Sequence, residues 1–261
     1  MEEDDLALPL GFAEERAVFK GPTQNARVLT EGWVADHLFC PNCGEARLMQ
    51  QPANRPAADF LCRTCDQDYE LKSKQGALGR KVLDGALATM LERVRSERVP
   101  NLLVMTYGRQ PPAVTSLIVV PKQFLTPELI EPKRPTWPKG RSAPWVGCNI
   151  LLGDVPEIGR IDIVRDGSAL AKTDVLDRWE RTRFVRERRS EARGWLLAVL
   201  RCMERLSAEF TLAEVYAFEG ELAARYPENQ NVRPKIRQQL QVLRDAGLLR
   251  FDGAGRYRRL G

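Results

Sequence analysis

The sequence predicts an α/β protein: a mixed sheet flanked by helices, interrupted by a small cysteine-bearing hairpin and followed by a helical domain that ends in a second hairpin. Three observations predict it. Four cysteines fall in two close pairs, Cys40-x2-Cys43 and Cys62-x2-Cys65. Between residues 57 and 164 the apolar pattern switches repeatedly between the strand period of two and the helix period of 3.6. From residue 190 it is helical, then breaks into two short strand-like segments. Domain limits of 1–189 and 190–261 follow.

Taken in order, residues 1–20 begin acidic, show no period and are left unassigned. A helix is predicted from Thr30, with Trp33, Val34 and Leu38 as its apolar stripe. Glu31 then falls in a first helical turn, where the helix dipole accounts for an acid, a supporting place at a metal being the other reading.

The two cysteine pairs are separated by the 18 residues 44–61, the spacing at which two tight turns each present two thiolates to one tetrahedral ion. Pro41 and Gly44 supply the turn of the first knuckle. Zinc on Cys40, Cys43, Cys62 and Cys65 is the expected metal; the rival readings are two disulfides or a redox pair. Four sulfur ligands leave no open position, so such an ion holds structure and does no chemistry. His37 beside the first knuckle is read as a surface or packing residue, and Cys148 and Cys202 as buried small hydrophobes.

An acid series brackets the second cysteine pair. In Asp68–Lys74 the period of two puts Glu70, Lys72 and Lys74 on one face and Tyr69 and Leu71 on the other. If that strand pairs with Ala57–Cys62, Asp59 and Glu70 meet on one face and can share a hard divalent cation, magnesium, with Lys72 beside them. Phosphodiester hydrolysis needs those parts: a metal to polarise the phosphoryl oxygen and generate hydroxide, and a cation to orient water and offset charge. The bland reading is a solvated hairpin with scattered charges. A single histidine in 261 residues excludes His-metal nucleases, His-paired hydrolases and His-rich catalytic zinc sites.

Beyond Gly76 a helix is predicted over Leu78–Arg98, with Val82, Ala86, Met90 and Val94 as its stripe. Strands follow near Leu102–Tyr107 and Ser116–Val120, the second ended by Pro121. The proline-rich stretch Pro127–Pro144 is read as a surface loop with little regular structure, offering Lys133, Arg134, Lys139 and Arg141 with Trp137 and, just beyond, Trp145. A last strand fits Arg160–Val164, closed by the turn Arg165-Asp166-Gly167. The basic, helix-like run Arg178–Arg193 is read as a solvated face, a linker touching DNA being the other reading.

In the second domain Trp195, Leu196, Val199, Leu200, Met203 and Leu206 make a helical stripe, and Thr211-Leu212-Ala213-Glu214 is a capping box opening a helix to about Arg225. Pro234 is assigned the first position of a third helix and Gly247 its C′ position, with Ile236, Leu240 and Leu243 inward and Lys235, Arg237, Gln238 and Gln241 toward solvent. Leu248–Phe251 and Arg256–Leu260 then form a hairpin, which completes a winged-helix pattern. Gln suits adenine's N6 and N7 edge, while Arg and Lys suit phosphates or guanine; Arg233, Lys235, Arg237, Gln238, Gln241, Arg256 and Arg258 are the candidate DNA contacts. A winged helix used only for protein contacts is the rival.

Charge agrees with that division. Residues 181–261 carry 17 Lys and Arg against 10 Asp and Glu, net +7, and the remainder 23 against 25, net −2. No apolar run approaches membrane length, and no basic-then-apolar export pattern opens the chain, so a cytoplasmic location and no membrane partner are expected.

The order helix, hairpin, helix, strand resembles the core of the PD-(D/E)xK restriction-endonuclease fold, although Ala58 precedes Asp59 and the proline stands at Pro56. More closely, Cys40-Pro41-Asn42-Cys43-Gly44, Asn54-Arg55-Pro56-Ala57-Ala58-Asp59-Phe60, Glu70-Leu71-Lys72-Ser73-Lys74, Asp84-Gly85-Ala86, Pro121-Lys122-Gln123-Phe124, Trp145-Val146-Gly147-Cys148-Asn149 and Lys235-Ile236-Arg237-Gln238-Gln239-Leu240 resemble the DpnI-like methyl-directed type II restriction endonucleases over nearly the whole chain. The resemblance implies magnesium-dependent double-strand cleavage at GATC sites carrying N6-methyladenine. It matches Asp59, Glu70 and Lys72 to the catalytic acids and lysine, the four cysteines to a zinc site, and the winged helix to a second reader of the methylated sequence. Trp145 is the candidate for the apolar surface that meets the methyl group, with Trp137 or a purely structural tryptophan the alternatives, and a monomer is expected. The rival class is a non-catalytic zinc-ribbon and winged-helix DNA-binding regulator; a third reading is a nuclease indifferent to methylation.

Overall fold

The computed structural model describes residues 8–52, 58–110, 112–137, 143–188 and 190–260. Pro56 of the acid motif, and Lys139 and Arg141 of the proline-rich stretch, lie outside the described residues. By internal contacts the chain divides into two units, Met1–Arg183 and Phe184–Gly261.

In the first unit α1 (Pro22–His37) leads to β1 (Met49–Gln50), β2 (Phe60–Leu61), β3 (Asp68–Gln75), β4 (Val82–Ala86) and α2 (Leu87–Arg95). Then come β5 (Asn101–Tyr107), β6 (Val114–Val120), β7 (Ile130–Pro132), β8 (Gly147–Ile150), β9 (Ile161–Arg165), β10 (Ser168–Ala169) and α3 (Lys172–Glu180), with the short α4 (Arg183–Arg186) at the boundary. Seven strands form one mixed sheet in the order β1-β2-β3-β5-β6-β9-β10. Only β3 and β5 run parallel there, Glu70 opposite Leu102 and Lys72 opposite Val104. A parallel pair cannot be joined by a tight turn. The chain between them therefore makes a crossover, and that crossover is β4 and α2. β5 is buried along Leu102, Leu103, Val104 and Met105, as a central strand covered on both faces must be. Its two buried polar residues are both satisfied: the Asn101 amide donates to the Asp68 carbonyl (2.9 Å) and its oxygen accepts from the Lys122 N–H (2.9 Å), and the Thr106 hydroxyl meets that of Thr115 (2.9 Å).

The first helix begins eight residues before the predicted Thr30. Pro22 occupies the N1 position after an extended Gly21, where the fixed φ of proline favours a helix start. The polar run that follows hid it, because only from Thr30 to Val34 does the helix bury a stripe. The helix predicted over Leu78–Arg98 is half wrong. Val82 to Ala86 is strand β4, paired antiparallel to β8 with a bulge between Asp84 and Ala86. The spacing Val82, Ala86, Met90, Val94 mimics one helical face, yet only Met90 and Val94 are buried, on α2. Hydrogen bonding to β8, more than sixty residues away, overrode the local period. The proline-rich stretch is also more ordered than predicted. Leu129 and Ile130 are buried, β7 pairs with β8, and β4, β8 and β7 make a second, three-stranded sheet.

The second unit contains α5 (Ser190–Glu204), β11 (Glu209–Thr211), α6 (Leu212–Tyr216), α7 (Glu219–Arg225), α8 (Val232–Asp245), β12 (Leu249–Gly253) and β13 (Arg256–Arg259). The predicted capping box is present at Thr211 and Glu214, but the helix it opens breaks after Tyr216 and resumes at Glu219. α8 starts at Val232, so Pro234 stands at its third position and not its first. Ile236, Leu240 and Leu243 face inward, and Gly247 at φ +73 turns the chain out of the helix in the left-handed region. β11, β13 and β12 form a three-stranded antiparallel sheet, the wing hairpin with one more strand than the sequence pattern revealed.

Candidate active site and sulfur cluster

The two cysteine knuckles have one construction. In the first, the Cys40 N–H donates to the Glu45 carbonyl (2.8 Å) and the Gly44 N–H to the Cys40 carbonyl (2.9 Å); in the second, Cys62 donates to Gln67 (2.8 Å) and Asp66 to Cys62 (2.9 Å). Gly44 and Asp66, at equivalent places, both take positive φ. Repeated hydrogen bonds aim four sulfurs at one point. The Sγ atoms all lie within 4.8 Å of one another, with Cys40 to Cys65 at 3.6 Å and Cys43 to Cys62 at 3.5 Å. A tetrahedral zinc with bonds of about 2.3 Å requires edges of roughly 3.8 Å, so the donor set fits that ion. Burial pushes the Cys40 and Cys43 thiols up, Cys43 to about 11, the electrostatic deficit that a bound dication removes. The Tyr69 hydroxyl sits 3.2 Å from Cys40 Sγ; burial, then the charge of Cys40, pushes this phenol far above its ordinary range, so it stays protonated. His37 is outside the cluster, 5.7 Å from the Trp33 ring.

Side-chain alternation on β3 separates that cluster from a cleft. Tyr69 is fully buried, while Glu70 and Lys72 line a cleft of about 480 Å³ together with Asp59, Glu31 and Arg27. Phe60 pairs with Tyr69, which brings Asp59 to the start of the hairpin beside Glu70. The Leu71 N–H donates to Asp59 Oδ2 at 2.7 Å. Burial raises the Asp59 carboxyl above its usual range, the Leu71 N–H opposes this, and the Glu31 charge adds to it. Lys72 Nζ lies 2.7 Å from Glu70 Oε1 and 2.6 Å from Asp84 Oδ1. Burial lowers the Lys72 pKa, but the two carboxylates outweigh it and hold the ammonium above its ordinary value. Arg93 Nη2 reaches Glu70 Oε2 at 3.2 Å.

The structure thus brings Asp59, Glu70 and Lys72 together and adds residues the sequence did not single out. Glu31 is corrected in position: it stands mid-helix, ten residues into α1, where a first-turn dipole cannot account for it. Its side chain faces the cleft, held by Arg27 and by Gln50 Nε2 (3.0 Å). Asp84 and Arg93 arrive on the crossover between β3 and β5. For Asp84 a signal existed in the Asp84-Gly85 pair, a poor fit to the middle of a helix. For Arg93 none did.

Trp145 joins Thr136 in a short bridge and rests its ring on Gly147, where a Cβ would come within 2.6 Å of it. The half-exposed ring lines a groove with Leu87, Leu91 and Arg95 of α2, whereas Trp137 is 69% exposed. In the second unit Arg237, Gln238, Gln241 and Arg256 are exposed and Lys235 is half-buried. Arg233 and Arg258 are engaged in ion pairs. Arg233 pairs with Glu219 (2.8 Å) and lies over the Tyr216 ring, and Arg258 pairs with Glu209 (2.8 Å). Cys148 and Cys202 are both buried. Among the described residues no helix is long and apolar enough to cross a membrane.

Compared with known families, residues 13–188 match the family model DpnI, described as the Dam-replacing family. Residues 191–259 match the model DpnI_C, the Dam-replacing HTH domain.

Proposed function

Because the chain belongs to the Dam-replacing family, we propose that it is a methyl-directed type II restriction endonuclease that cuts both strands of duplex DNA at GATC sites carrying N6-methyladenine. A catalytic domain over 1–189 and a DNA-reading domain over 190–261 make up the enzyme. The observation that carries the reading is the single cleft lined by Asp59, Glu70 and Lys72.

Asp59 and Glu70 would hold magnesium, with Glu31 at hand as a third carboxylate; the donors are hard oxygens, as that ion requires. When bound, magnesium supplies Lewis acidity to the scissile phosphate and acidifies a bound water. The protein's own groups do the rest. Lys72 is held charged by two carboxylates, so it does not take a proton; it donates hydrogen bonds to the attacking water or to the phosphate and offsets charge as the transition state forms. Zinc on Cys40, Cys43, Cys62 and Cys65 would hold the turn of the hairpin whose other end carries the acids.

Methyl reading is assigned to both domains. Trp145 presents an aromatic surface in the first, and Gln238 and Gln241 present amides suited to adenine in the second, with Arg233, Lys235, Arg237, Arg256 and Arg258 on phosphates or guanine. Arg233 and Arg258 would exchange exposed ion pairs for phosphate, a small cost. One methyl distinguishes two ligands by only about 1–3 kcal/mol, so two readers multiply a modest selectivity. The protein acts as a monomer in the cytoplasm.

Incubation with magnesium and plasmid from methylating and non-methylating hosts tests the proposal. Cleavage of methylated DNA alone is expected. Cleavage of neither would leave a DNA-binding regulator, and cleavage of both an unselective nuclease.

A further inference from the structure

The Lys72 ammonium is shared between two carboxylates of different kinds. Glu70 lies on the same strand and, under the function proposed above, on which this inference rests, is a magnesium ligand. Its two oxygens are engaged, Oε1 with Lys72 and Oε2 with Arg93. A dication at Glu70 competes for those oxygens and repels the ammonium, so Glu70 holds Lys72 least firmly when the metal is in place. Asp84 is differently situated. It comes from β4, its side chain is only 7% exposed, it is not among the residues lining the cleft, and its Oδ1 lies 2.6 Å from Lys72 Nζ. The strand under it is pinned by pairing with β8, Asp84 opposite the buried Cys148, so the carboxylate stands on a fixed element.

We propose that Asp84 is the positioning residue of the active site: it fixes the Lys72 ammonium where Glu70 would be engaged in holding magnesium. Asp84 touches neither substrate nor metal and acts through Lys72 alone. Its removal costs turnover and not binding. With the zinc-loaded full-length protein, Asp84→Ala is expected to lower the single-turnover cleavage rate of a methylated duplex about 100-fold at saturating magnesium, the scale of a displaced catalytic group. Duplex affinity measured with calcium in place of magnesium, and zinc content, are expected to equal those of the unmodified protein. Asp84→Glu restores a carboxylate to the same neighbourhood and is expected to recover most of the rate, which a merely structural defect would not predict. If Asp84→Ala does not fold, Asp84→Asn, nearly the same shape without the charge, carries the test through the same rate and affinity measurements. An Asp84→Ala or Asp84→Asn enzyme that cleaves at the normal rate, while Lys72→Ala is inactive, overturns this inference alone. An unmodified protein that never cleaves methylated DNA overturns the proposed function and this inference with it.

Discussion

At the turn of the β2–β3 hairpin four sulfurs close on one another within 4.8 Å, while at its other end Glu31, Asp59 and Glu70 face a cleft of about 480 Å³. One strand serves both. Tyr69 points inward to Cys40, the next residue points to the cleft, and the period of two keeps the chemistries apart across a single peptide unit. The ends also differ in how charge is balanced. At the sulfurs the closest polar neighbour is the Tyr69 phenol, and burial favours the neutral thiols of Cys40 and Cys43, a cost that a bound dication would offset. Around the carboxylates Lys72, Arg93 and Arg27 already compensate, so an incoming ion must displace or share. A closed set of soft donors holds shape; an open set of hard donors beside ion-paired cations can do chemistry.

Cys62→Ser attacks the closed end and carries the largest expected effect. Elemental analysis should fall from one zinc per chain to none, and denaturant unfolding should show a loss of several kcal/mol, up to about 10. Zinc content and stability both unchanged would remove Cys62 from the metal site. Next is Lys72→Ala at the open end: cleavage of methylated duplex should fall about 1,000-fold while affinity stays within about threefold. A fully active variant removes the assigned role. Glu31→Gln asks whether the helix acid belongs to the open end. The magnesium concentration for half-maximal rate should rise about tenfold with zinc content unchanged, as for a group supporting a metal's ligands; an unaltered magnesium requirement would return Glu31 to a structural pairing with Arg27. The smallest effect is expected from Tyr69→Phe, which removes the hydroxyl at Cys40. Stability should drop by about 1 kcal/mol with the cleavage rate unchanged. A fall in cleavage rate of about tenfold or more would mean that the two ends are not separable.

Much of this hairpin was legible because its signals are local. Cysteine spacing, the alternation Tyr69, Glu70, Leu71, Lys72, and the position of Asp59 before a turn all lie within residues 40–74. The apolar runs of β5 and β6 and the inward stripe of α8 were legible for the same reason. Misreadings arose where distant pairing decided. β8 was not anticipated, and without it Val82–Ala86 read as helix and the stretch before Trp145 as loop. The ion pairs of Arg233 with Glu219 and of Arg258 with Glu209 were likewise hidden, because the partners lie 14 and 49 residues away.

The amino-acid order alone determined the donor atoms: four thiols at ribbon spacing, two acids and a lysine on alternating strand positions, and a basic three-helix segment with its hairpin. Tertiary structure decided who surrounds them. The parallel pairing of β3 and β5 demands a crossover, and that crossover delivers Asp84 to Lys72 and Arg93 to Glu70, while the packing of α1 against β1 and β3 delivers Glu31 to the cleft that Asp59 lines. Residue spacing encodes which groups one element presents, but the company each keeps is set by how elements pack, because sheet hydrogen bonds and side-chain burial act between segments far apart in the chain.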